Sequence, residues 1–187
     1  MTETAIEQPT KRKLLKMIAS LPCVTACAGT RPTREDELVH RFDGKSFTLV
    51  VDAVSGAEME GVVFYDDRGY TIYAKSLVAR RTREILSLSN PRIPLTVRVL
   101  WRHDPTPVWG RTGGIDYQGT IAGDYTVPVA ERIPDEVVKE IGPRRGGLRL
   151  KFRLKPDGVL FGWDVERPDI GLYRFDMPGG DFLETRY

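Results

Sequence analysis

The chain has 187 residues, 28 basic and 26 acidic side chains, a formal net charge of +2 and 41% hydrophobic residues. That length suits one domain with a single core. So balanced a charge excludes the basic face that nucleic acid requires, and no stretch is long and apolar enough to cross a bilayer.

The first informative segment is Lys11 to Gly29, "KRKLLKMIASLPCVTACAG". It holds both cysteines, Cys23 and Cys27, in a C-x3-C spacing one residue longer than redox and zinc-ribbon pairs. Only His40 and His103 remain as further imidazole ligands, on no ligand-spaced motif, so no metal site is expected. A helix of the folded core is a second reading, interrupted by Pro22 and Gly29. A third is a signal peptide: Lys11, Arg12, Lys13 and Lys16 form a basic region, Met17 to Ala26 an apolar one, and small residues precede Cys27. Val24-Thr25-Ala26-Cys27 resembles the lipobox of bacterial lipoproteins. That resemblance implies cleavage before Cys27 and lipidation of its thiol. Residues 1–26 are then a signal peptide, and 27–44 a tether. The single β-rich globular domain runs over 45–187. Cleavage would remove four basic and two acidic residues and leave 24 of each. With Ala28 following the cysteine, the resemblance favours the periplasmic side of the outer membrane. The membrane is then reached through the lipid anchor, since acyl chains contribute about 0.8 kcal/mol per buried methylene.

Gly29 to Asp43 is polar and reads as a tether. Ser46 to Val54, "SFTLVVDAV", is a β-branched run bounded by glycines, a strand. Val62–Tyr65 and Tyr70–Ala74 flank Asp66-Asp67-Arg68-Gly69 as a hairpin. Val78 to Ser89 is ambiguous between a helix and an exposed arginine-rich segment. "LTVRVLW", Leu95 to Trp101, alternates as a strand. Arg102 to Asp116 is rich in Pro and Gly and reads as a long loop. "YQGTIAGDYTVPV" gives one or two short strands. "RIPDEVVKEIGP" carries helix start and stop signals. "GLRLKFRLKPDGVLFGWDV" is a second hairpin. There Leu148, Leu150, Phe152 and Leu154 face the core, and Arg149, Lys151, Arg153 and Lys155 form a solvated face or a dock for an acidic partner. The tail reads as loop with a short strand at Leu172–Phe175. The expected fold is mainly β, a β-rich α+β single domain of antiparallel sheets, sandwich-like, with one or two short helices.

No G-x-S-x-G, calcium loop or nucleotide fingerprint occurs. The reading is therefore a non-enzyme with no cofactor, no metal and no evident small-molecule substrate. The large side chains gather in the presumed loop: His103, Asp104, Trp109, Arg111, Asp116 and Tyr117. Trp, Tyr and Arg are the side chains that anchor protein interfaces, so these six are the candidate partner-binding residues. The competing reading has Trp109 folded back as a cap on the core. For Trp101 and Trp163 core packing is expected.

The lipobox, "LTVRVLW", "YTVPVAERIPDEVVKEI" and "LRLKFRLKPDGVLFGWDVERP" occur in that order. The set resembles the small lipoproteins found beside phospholipase effectors of type VI secretion systems in Gram-negative bacteria, over Cys27 and Leu95 to Pro168. The resemblance implies an immunity protein that neutralises a secreted phospholipase-type toxin at the periplasmic face. A structural lipoprotein of envelope assembly is the alternative.

Overall fold

The computed structural model describes residues 33–80, 84–87, 92–111, 113–143, 145–169 and 172–185. The expected signal peptide, Cys23, Cys27 and the start of the expected tether lie outside these residues.

In chain order the elements are α1 (Arg34–Arg41), β1 (Phe47–Ala53), β2 (Glu58–Asp66), β3 (Thr71–Ala79), β4 (Glu84–Ser87), β5 (Thr96–Trp109), β6 (Ile115–Pro128), a 3-10 turn (Ala130–Arg132), α2 (Asp135–Glu140), β7 (Gly147–Lys155), β8 (Gly158–Asp169) and β9 (Leu172–Gly180). The strands form two sheets, ordered β4-β1-β7-β8-β9 and β3-β2-β5-β6. All pairings are antiparallel except β1 with β7, which is parallel. The mainly-β fold with few helices is as the alternating patterns predicted.

The two sheets share one core. Leu148, Leu150, Phe152 and Leu154 of β7 point into it, with Leu49 and Val51 of β1 and Val62 and Phe64 of β2. Phe64 bridges the sheets: its ring lies 5.1 Å from Tyr73 within its own sheet and 5.1 Å from Phe152 of the other. Trp101 and Trp163 are both in this core, as expected. Trp101 stacks on Tyr125 at 5.2 Å. Val137 and Val138 of α2 close one end.

Several segments differ from expectation, among them the tail, which stays strand from Leu172 to Gly180 rather than to Phe175. Part of the presumed tether is α1. Thr33 accepts from the Asp36 amide at 3.2 Å while the Asp36 carboxylate accepts from the Thr33 amide at 2.9 Å, a capping box that offsets the polarity of the sequence. Arg41 then donates to Ala130 O at 3.0 Å and pairs with Asp135 at 2.6 Å, and Phe42 enters the core. The folded unit therefore reaches back to Thr33. Thr33→Ala should cost about 1 kcal/mol, read as a melting temperature lowered by roughly 2–4 °C. An unchanged melt would mean that α1 contributes nothing.

The ambiguous segment after Val78 holds no described helix: β3 runs to Ala79, Arg80 is in a turn, and Glu84–Ser87 pairs with β1 as an edge strand. The presumed long loop is also strand. β5 and β6 are 14 residues each and pair from Thr96↔Pro128 to Trp109↔Ile115.

Candidate partner-binding surface

From Arg102 onward β5 pairs only with β6, because β2 accompanies it over Val97–Leu100. The ribbon also changes register twice, between Trp101 and Arg102 and between His103 and Thr106. Such irregularities bend a strand, and Asp104 at φ 50° sits in the second of them. The distal half comes back over β2 and β3. A Cβ built on Gly61, itself at φ +53°, would lie 2.5 Å from Pro105 Cβ and 3.4 Å from Tyr117 Cβ. One built on Gly110 would approach the Thr71 hydroxyl at 3.8 Å. The close approach at Gly61 thus requires a residue without a side chain. Gly61→Ala should cost about 2–4 kcal/mol, read as a lowered melting temperature. An unchanged melt would mean that the ribbon does not rest on Gly61.

The fold-over sorts the six candidates. Tyr117 is 7% exposed, turned in beneath the ribbon. Asp116 is half-buried beside Tyr65. Burial, with Asp116 beside it, pushes Tyr65 up to about 12, so its hydroxyl stays protonated across the physiological range. These two residues fasten the ribbon to the sheet. His103 and Asp104 are exposed at the bend. Trp109 and Arg111 are exposed at the tip, where Gly110 N donates to Gly114 O at 3.0 Å and Gly113 N to Gly110 O at 3.2 Å. Trp109 is 85% exposed, and its cross-strand neighbour Ile115 is 50% exposed. Trp109 is not a cap on the core. The structure brings Trp109, Ile115 and Arg111 to one tip and leaves His103 and Asp104 at the bend, several ladder pairs away.

A second surface was misjudged from sequence. Three of the four basic residues alternating along β7 are buried: Arg149 is 1% exposed, Lys151 0% and Arg153 7%. On the face away from the core, β1, β7 and β8 present three rows: Thr48–Arg149–Asp164, Val50–Lys151–Gly162 and Asp52–Arg153–Leu160. Arg149 grips Asp164 with Nε at 2.6 Å and Nη2 at 2.7 Å. Arg153 grips Asp52 with both nitrogens at 2.8 Å. Lys151 Nζ lies 3.1 Å from Asp164. Residues 181–185 cover them: Thr185 O accepts from Arg149 and Glu184 O from Lys151, each at 2.8 Å, and the Glu184 carboxylate pairs with Arg153 at 2.5 Å. Desolvation pushes Lys151 below the usual lysine range, against the pull of Asp164. One signal was available in the sequence. Asp52 and Asp164 each interrupt an apolar strand, and a carboxylate there requires a buried cation.

Among the described residues no cluster of three or more His, Cys, Asp and Glu side chains is placed to hold a metal, and no helix is long and apolar enough to cross a membrane. Comparison with protein-family models, with curated proteins and with solved structures gave no match to this chain.

Proposed function

We propose that this chain is a lipid-anchored binding protein of the cell envelope, an immunity protein whose hairpin tip engages a secreted phospholipase-type toxin at the periplasmic face. The observation that carries the reading is Trp109. A tryptophan left 85% exposed at the end of a paired 14-residue ribbon has no packing role there, and exposed aromatics beside arginine are the usual centres of protein interfaces. The ribbon is fastened through Tyr65–Asp116 and Pro105–Gly61, so the tip is presented with little ordering cost on binding. The test takes a phospholipase-type effector from a neighbouring reading frame; a neighbourhood without one removes the reading. The effector should co-purify with the chain and lose its phospholipase activity at equimolar chain. Full lipase activity under excess chain removes the reading.

The anchor is tested separately. Cys27→Ser should leave an unprocessed precursor that no longer incorporates a palmitate analogue. Equal labelling of the variant and the original chain rules out lipidation at Cys27.

A further inference from the structure

The distal half of the ribbon lies over β2 and β3. Beside it, on the outer face of β5 and β6, is an open cleft of about 560 Å³ bounded by the β2–β3 turn. That volume falls in the range of small-molecule sites. Arg98, Leu100 and Arg102 alternate along β5 and so share this face. Leu100, 3% exposed, is the apolar floor. Arg102 stands directly opposite Ile121 in the β5–β6 ladder, and both line the cleft. Tyr65 stands opposite Arg98 in the β2–β5 ladder and lines it too.

The polar groups around the cleft are unequally satisfied. Asp66 accepts from Arg68 Nε at 2.9 Å and Nη2 at 2.6 Å, and from the Arg68 and Tyr70 amides. Asp67 pairs with Arg92 and accepts from Leu95 N at 2.8 Å. Asp124 takes Arg98 Nε at 2.8 Å and Nη2 at 2.6 Å. That fork holds the Asp124 carboxyl below the usual carboxylate range, with a smaller pull from Arg102. Arg102 fares differently. Its Nη1 is buried and has no hydrogen-bond partner among the described residues. An unpaired buried donor is destabilising, and a small turn of the side chain brings it to an acceptor in the cleft. The apolar side chain next to it, Ile121, is 53% exposed.

We propose that this cleft binds a small amphiphile, with an anionic head, carboxylate or phosphate, on Arg102 and an apolar body along Leu100 and Ile121. Both heads present the paired oxygens that a guanidinium grips. A neutral apolar molecule would leave Arg102 unpaired. A purely polar anion would leave Ile121 and Leu100 uncovered. A cation finds carboxylates that already accept from at least two donors each. The site uses neither Trp109 and Arg111 nor Cys27, so it stands or falls apart from the toxin-binding and lipid-anchor readings.

The test titrates the full chain with octanoate and with octyl phosphate below their micellar concentrations. Binding is followed by the NMR signals of the Arg102 and Ile121 side chains. Octanol and acetate are the controls, one lacking the charge and the other the apolar body. At least one amphiphile should shift both signals saturably and bind about tenfold or more tightly than either control. The tighter of the two identifies the head as carboxylate or phosphate. Arg102→Met keeps the apolar stem and removes the charge, and should weaken that binding by about tenfold or more, the loss of a charge-assisted hydrogen bond. No saturable shift with either amphiphile overturns the proposal, as does a control that binds equally well or full affinity in Arg102→Met. Should that variant fail to fold, Ile121→Asn carries the test on an exposed side chain. A clear loss of affinity is expected there, and unchanged affinity overturns the site.

Discussion

Asp164→Ala should lower the stability of the domain by about 3–5 kcal/mol, the range for breaking a buried ion pair by removing one partner. Asp164 is fully buried and faces two cations, the Arg149 guanidinium at 2.6 Å and 2.7 Å and Lys151 Nζ at 3.1 Å. Its removal takes that carboxylate from both buried cations. For a domain of this size each kcal/mol moves the melting temperature by roughly 2–4 °C, so the loss is roughly 6–20 °C. Lys151→Met should behave in the opposite sense. It leaves the Arg149–Asp164 pair intact and relieves a lysine that burial already pushes towards its neutral form. Its expected cost is within about 1 kcal/mol. The measurement is a pair of denaturant melts. Equal losses in the two variants would show that volume, and not charge balance, sets the stability of this face.

These cations also mark where the sequence stops being legible. Alternation along Leu148–Lys155 assigns one row to the core correctly, because period 2 fixes which side chains share a face. It does not say what covers the other face. The cover comes from residues 181–185, about thirty positions later and outside any regular strand, so no local pattern announces it. The same limit applies to Arg102–Asp116. Two prolines and a glycine pair suggest a loop, yet beyond Arg102 the strand has a partner on one side only. A proline there can leave its missing N–H towards the free side, and Pro105 falls where the register shifts. The burial of Tyr117 follows from the bend at Asp104, a tertiary event. By contrast, α1 has a local signal. Thr33 followed three residues later by Asp36 carries the reciprocal cap, and the charged composition masked it. The core strands, α2 and the two buried tryptophans were readable because each rests on periodicity or on short-range start and stop signals.

The exposed tip yields the other large effect. Trp109→Ala and Arg111→Ala should each weaken binding to the proposed effector by about 2 kcal/mol or more, the level of interface hot spots, or roughly thirtyfold in dissociation constant. Both should leave the melting temperature nearly unchanged, since surface substitutions away from packed features fall within about 0.5 kcal/mol and Trp109 is 85% exposed. Tyr117→Ala is the contrast. Its side chain is turned in above Gly61, so it should lower the melt and weaken binding only as far as it loosens the ribbon. His103→Ala and Asp104→Ala, at the bend and away from the tip, should change affinity by less than about 0.5 kcal/mol if the tip is the centre of the contact, because peripheral contacts carry little binding energy. The measurement is a titration and a melting curve for each of the five variants. Unchanged affinity in both tip variants, with the effector still bound, would place the contact elsewhere. Losses at His103 and Asp104 equal to those at Trp109 would spread it along the ribbon.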